Sequence, residues 1–177
     1  MDTLKDRLRI LEVPNAVELA SDLFYESFRQ PFPVPRDNCL AIPTPPENWH
    51  QYVARYRWPD AKEGTVGFCN WIRYRDVYLE GGMCVSKTFY RRLPKLHWKE
   101  CADHGGLAQM MMQAASERLN DCKAWFGCCG DAKALAVDLR FGYELTKHDK
   151  LIVKWFAAMT PGEKDSLVES IAAIGPF

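Results

Sequence analysis

The chain has 177 residues, 47% hydrophobic and 12% aromatic, enough for one domain to bury a substantial core and too few for a second full one, so residues 1–177 are expected to form a single domain. Lys and Arg total 23 and Asp and Glu total 23, scattered along the chain. That balance leaves no electrostatic footprint for duplex nucleic acid or an anionic membrane, and the expected partner is small. No charged-then-apolar leader opens the sequence and no apolar run approaches bilayer length, which makes the cytoplasm the expected compartment. Seven cysteines without a CxxC pair argue against a disulfide framework and a zinc ribbon.

Residues 4–13 alternate weakly, with Leu8 and Ile10 against Arg9 and Leu11, and predict a first strand that stops at Pro14. Asn15, three residues before Glu18, resembles a capping box for a helix whose apolar stripe is Val17, Ala20, Phe24 and Phe28. Six of the 11 prolines fall in residues 31–46, so that segment reads as a long irregular loop. Residues 49–58, 65–74 and 77–85 then alternate as strands and form an antiparallel meander. The first of these also admits a short helix after Pro46-Glu47. In the third, Val77, Leu79, Met83 and Val85 share one side and Tyr78, Glu80 and Cys84 the other. Gly81 and Gly82 interrupt it, as glycine does at a bulge or where a ligand comes close.

Residues 87–101 are basic and aromatic and predict a short helix, read either as a solvated connector or as cations beside a phosphate. His104-Gly105-Gly106 follows and opens a helix carrying Leu107, Met111 and Ala114, flanked by Met110, Ala115 and Leu119, that ends near Asn120. Residues 124–128 form a buried-type strand, and the order strand, helix, strand implies a parallel pair. Asp131 caps the next helix and Gly142 ends it; residues 143–146 and 151–156 read as a closing hairpin. Thr160-Pro161-Gly162-Glu163 is a capping box for a last helix to about residue 173. A strand, a glycine turn and a helix start converge unpaired N–H groups and the positive end of a dipole, which suits a guest carrying phosphate.

Two stretches resemble the GNAT superfamily of acyl-CoA-dependent N-acetyltransferases. The family's pyrophosphate turn, Q/R-x-x-G-x-G/A, is matched by Asp103-His104-Gly105-Gly106-Leu107-Ala108 with its first residue changed. Its N-x-x-A-x-x-L-Y-x-K-x-G-F stretch aligns without gaps on residues 131–143, Asp131 and Ala134 standing at the first two fixed positions. With the strand order, the resemblance covers about residues 8–156. It implies an α/β (α+β) fold with a mixed, mostly antiparallel central sheet of about seven strands, a splayed parallel pair, flanking helices and a C-terminal helix. It also implies acetyl-CoA as co-substrate, no metal, and a small amine as acceptor; a homodimer stays open. Pantetheine amides would bond the backbone near Met83, Cys84 and Val85. Pyrophosphate would rest on N–H groups from His104 to Ala108, and Asp131 with Ala134 would stand beside the cofactor arm. An insertion, residues 86–102, separates Val85 from the turn and brings Lys87, Arg91 and Arg92 toward the phosphate site. The tyrosine that serves the family as acid is replaced by Asp138, a group expected to be ionised at neutral pH.

The chemistry that follows is direct attack of an amine on the thioester, with backbone N–H near Cys84 meeting the oxyanion. Glu80 is the candidate base, against the plain alternative of a strand glutamate paired with arginine. The Cys84 thiol reads equally as a nucleophile or as a small hydrophobe, the latter being commoner. Trp49, Tyr56, Trp58, Trp71 and Tyr78 are expected to line the acceptor pocket. Two rival functions stay open: a non-catalytic acyl-CoA-binding module, motivated by Asp138, and a metal-dependent interaction protein using His97, Cys101 and His104.

Overall fold

A computed structural model describes residues 2–32 and 45–177. The expected proline-rich loop falls mostly on residues 33–44, outside the described residues. The remaining chain forms a seven-stranded sheet in the order β1-β2-β3-β4-β5-β7-β6. Its strands are β1 (Leu8–Val13), β2 (Trp49–Arg57), β3 (Glu63–Tyr74), β4 (Val77–Val85), β5 (Ala124–Cys128), β6 (Glu144–Leu145) and β7 (Leu151–Trp155). The helices are α1 (Leu4–Arg7), α2 (Val17–Phe28), α3 (Phe89–Arg92), α4 (Lys95–Asp103), α5 (Leu107–Ser116), α6 (Ala132–Phe141) and α7 (Pro161–Ala172). β1 pairs antiparallel with β2, β5 with β7 and β6 with β7, whereas β4 and β5 run parallel. The expected fold class is the one observed.

Several differences from the sequence expectation sit at element starts, and α5 ends at Ser116, short of the expected Asn120. Leu4–Arg7 is one helical turn instead of the beginning of β1, because the Thr3 hydroxyl and amide both donate to the Asp6 carboxylate, at 2.7 and 2.8 Å, and fix the first turn. α2 begins after Ala16; the Asn15 carboxamide accepts from Val17 N–H, so it bends the entry without forming the expected box with Glu18. The basic insertion holds two helices, α3 and α4.

The fold divides into two compact units. The first takes in residues 2–32, 50–70 and 83–115. Its core sets Ala16, Ala20, Leu23 and Phe24 of the α2 segment against Val53, Phe68 and Cys84, with Phe24 and Phe68 edge to face at 6.0 Å. α5 buries Leu107, Met111, Met112 and Ala115. Gly67 of β3 lets this helix lie close: a Cβ there would stand 2.6 Å from Met111 Sδ, 3.2 Å from Ala54 Cβ and 3.4 Å from Leu107 Cδ2. The second unit takes in residues 45–49, 71–82 and 116–177. One face of its strands packs Val77, Leu79, Ala124, Phe126, Leu151 and Val153 on Val168 and Ile171 of α7. Tyr78 and Glu80 alternate to the opposite face, as the period of two requires, which also carries the Trp71–Trp125 pair, 5.0 Å between centroids.

Candidate active site

The glycine turn lies in the first unit and ends α4 as much as it begins α5. His104 N–H donates to Glu100 O at 3.2 Å, Gly105 N–H to Ala102 O at 2.9 Å and Gly106 N–H to Cys101 O at 2.8 Å, a set of helix-closing bonds. Gly105 and Gly106 carry φ of 80° and 95°, a region a side chain rarely adopts. Leu107 N–H, the next in line, donates to the Tyr90 hydroxyl at 2.9 Å. Four of the five amides from His104 to Ala108 therefore hold internal partners. The first-turn amides that follow, Ala108 and Gln109, have no carbonyl of their own helix to reach. Asp103 and His104 are exposed at the turn. Of the insertion's cations, Lys87 and Arg91 are exposed, while Arg92 stacks 4.1 Å over the Trp58 ring. The residues thus fit a phosphate only in part: three of the turn's amides are spent on backbone carbonyls and a fourth, Leu107 N–H, on the Tyr90 hydroxyl. Nothing in the motif announced Tyr90, which belongs to the insertion.

On β4, Met83 and Val85 are half-buried and Cys84 is buried in the core of the first unit. Burial pushes the Cys84 thiol up to about 11, against the pull of a Ser27 hydrogen bond. At neutral pH it is a thiol packed among the apolar side chains of that core. Gly82 has φ 119°, in line with the irregularity expected of the paired glycines. β4 pairs with β5 over Val77–Glu80, matched to Ala124–Gly127; Glu80 closes that stretch.

Glu80 gathers the polar groups of the second unit. The Tyr143 hydroxyl donates to Glu80 Oε2 at 3.0 Å, and a Cβ on Gly127 would stand 3.5 Å from the same oxygen. The partner of Glu80 is a tyrosine, not the arginine that the plain alternative supposed. Burial pushes the Glu80 carboxyl up to about 8; the neighbouring Asp138 charge adds to the rise and the Tyr143 hydrogen bond opposes it. Asp138, 8% exposed, is the buried residue of α6. Burial holds its pKa above the usual carboxylate range, and a hydrogen bond from the Cys129 thiol draws it partly back. The sequence expectation is an Asp138 ionised at neutral pH; its burial, of which a sequence carries no record, disfavours the charged form. Tyr143 stays a phenol: burial raises it first, then the charge of Glu80. The Trp71 indole lies against its hydroxyl. Tyr143 and Cys129 escaped the sequence reading; the only signal was a tyrosine where the resembling motif has phenylalanine.

Asp131 Oδ1 accepts from Lys133 N–H and Ala134 N–H, both at 2.9 Å, and so caps α6. The expected acceptor aromatics are core residues, with Trp49, Tyr56, Trp58, Trp71 and Tyr78 all at or below 8% exposure. Large apolar rings win burial wherever it is offered, and their clustering in strands signalled core. His97 engages both ring nitrogens, Nδ1 with the Tyr56 hydroxyl at 2.6 Å and Nε2 with Asp2 O at 2.9 Å, so it has no lone pair left for a metal. No group of three His, Cys, Asp or Glu suited to an ion occurs among the described residues.

The arrangement defines a class: this is the GNAT fold. No family model and no curated protein sequence matches the chain. Solved structures do. A GNAT family acetyltransferase from Brucella melitensis, in complex with acetyl-CoA, is similar at a TM-score of 0.52 and 12% identity over 87% of this chain and 91% of that one. The ribosomal-protein-S18-alanine N-acetyltransferase of Escherichia coli is similar at 0.51 and 9% identity over 87% and 97%. At such identities the likeness concerns the backbone.

Proposed function

We propose that the chain transfers an acetyl group from acetyl-CoA to the amine of a small acceptor by direct attack. The observation that carries the reading is β4 in its fold context. The strand stays zipped to its parallel neighbour only as far as Glu80, and then continues through Gly81 and Gly82 to Val85. Backbone past that point is suited to hold an extended amide-bearing arm, with Met83, Cys84 and Val85 as its partners. The pyrophosphate would take the amino end of α5, at Ala108 and the Leu107 amide once Tyr90 releases it, with the Gln109 side chain that stands against Gly105 moving aside. Asp103 and His104 border the carrier in this reading. The Brucella relative binds acetyl-CoA, which supports the choice of carrier.

Glu80 is the base. An amine is protonated at neutral pH, and a carboxyl whose pKa stands at about 8 is a strong enough acceptor to take that proton while a useful fraction remains ionised. The amine nitrogen then bonds the carbonyl carbon and gives its surplus proton to water, the carbon–sulfur bond breaks, and the thiolate takes a proton from solvent; the oxyanion would meet the Cys84 N–H. Localisation in the cytoplasm and the absence of a membrane or nucleic-acid partner belong to the same reading; no helix is long and apolar enough to cross a membrane among the described residues.

The test is release of free CoA thiol from acetyl-CoA in the presence of a panel of small amines. Thiol release that depends on the amine supports transfer. The module reading is favoured by the Tyr90 hydroxyl on the Leu107 amide and by Asp138 at the acid position; calorimetric binding of CoA without turnover would establish it in place of the enzyme.

A further inference from the structure

A cavity of about 280 Å³ opens beside the glycine turn, inside the first unit. It is lined by Thr3, Leu4 and Lys5 of the amino-terminal segment and by Glu100, His104 and Met110. Its walls are fixed by bonds between distant parts of the chain. Leu4 N–H donates to Glu100 Oε2 at 2.6 Å and His97 Nε2–H to Asp2 O at 2.9 Å, pairs 96 and 95 residues apart. Arg7 donates to the carbonyls of Arg57 and Trp58, at 3.1 and 3.0 Å, and pairs with the Asp2 carboxylate. Leu4 is 2% exposed. A lone turn of helix would fray in water; α1 is held against α4 by these contacts. Neither α1 nor α4 belongs to the two stretches that carry the family resemblance, so the cavity is built largely by what this chain adds to that pattern.

The lining offers three kinds of contact. Leu4 and Met110 are apolar. The Glu100 carboxylate spends Oε2 on Leu4, and Oε1 has no protein partner among the described residues. Lys5 and His104 are exposed, and their side chains have no partner among the described residues. An ammonium and an imidazole suit a phosphate monoester, whereas a carboxylate oxygen beside apolar side chains suits the amino group of a flat heteroaromatic base. We propose that this cavity is a nucleotide subsite, which takes the adenine of an adenosine 3′-phosphate group with Lys5 and His104 on its phosphate. The source of that group rests on the acyl-CoA reading, since CoA carries it beyond the pyrophosphate. His104 stands three residues before Leu107, whose amide the pyrophosphate would take, so the nucleotide has only the turn to pass. Free adenosine 3′,5′-bisphosphate carries the same chemistry.

Calorimetry on the full chain compares CoA, dephospho-CoA, which lacks the 3′-phosphate, and adenosine 3′,5′-bisphosphate. Wild type should bind CoA about tenfold more tightly than dephospho-CoA, the worth of one hydrogen bond to a charged group. Lys5→Ala should erase that difference by weakening CoA alone. The base is followed through the Met110 methyl resonance in a chain labelled at its methionine methyls, with Met110→Leu assigning the signal. CoA and the bisphosphate should both shift it in wild type, and the bisphosphate should leave it in place in Lys5→Glu. Equal affinities for CoA and dephospho-CoA, or a Met110 methyl unmoved by bound CoA, overturn the subsite and leave acyl transfer standing. A shift as large in Lys5→Glu as in wild type overturns it as well, because the phosphate is then held elsewhere. A chain that binds the bisphosphate at Met110 but releases no thiol from acetyl-CoA keeps the subsite and loses the transfer chemistry.

Discussion

At the residue scale, a raised carboxyl is a statement about folding. The proton on Glu80 is bound more tightly in the folded chain, at about 8, than in the unfolded one, at 4.5. Its contribution to stability is therefore fully present below about pH 4.5 and is lost as pH rises through about 8. Glu80→Gln cannot ionise. Its stability relative to wild type should rise between pH 5 and pH 9 by on the order of 2–4 kcal/mol, read from denaturant unfolding at each pH. A constant difference would mean that Glu80 ionises in the fold as it does in water. Asp138 moves the same way, raised by burial, and so adds to the loss in alkali. Cys84, by contrast, is already neutral on both sides of this range.

At the element scale, the amino end of α5 has its own substitute for a ligand. Tyr90 of α3 gives Leu107 N–H the acceptor that, in the proposed reading, a phosphate oxygen would replace. In Tyr90→Phe that competition ends. CoA should bind about fivefold more tightly by calorimetry, corresponding to the roughly 1 kcal/mol of a hydrogen bond no longer broken on binding, while the free chain loses a similar amount of stability. Unchanged or weaker binding would place the phosphate elsewhere. This is also where the sequence stopped being informative. Strands with alternating faces, such as Val77–Val85, and helices with a side-chain cap, such as Asp131 before α6 and Thr160 before α7, were legible because their signals are local. Glu80 stood out because paired glycines follow it. What Tyr90, Asp138 and Tyr143 do depends on partners 17, 58 and 63 residues away, and no periodicity reports such pairings. The Thr3–Asp6 turn was missed for a different reason: a single turn of helix is too short to compete with the alternation beyond it.

At the scale of the whole molecule, charge balance and core decide behaviour. With a formal net charge of zero and an isoelectric point near 6.9, the chain has least self-repulsion close to neutral pH. Light scattering should find a solubility minimum near pH 7, with recovery about two units to either side. A flat profile would mean that local patches, not net charge, govern association. The 47% hydrophobic content serves the two cores, and the six tryptophans and seven tyrosines mostly follow it inward. That composition left few aromatic side chains for an acceptor, and the count alone could not tell wall from filling.

Gly67 makes the amino end of α5 a matter of spacing. With hydrogen where any other residue has carbon, β3 lets Met111 and Leu107 settle against it, and the first turn of the helix is seated at a depth fixed by the smallest side chain available. A single methyl there would force the Met111 side chain aside and press on Ala54 and Leu107. In the acetyl-transfer reading proposed above, drift at a position that touches no ligand would thus be felt at the end proposed to take the pyrophosphate.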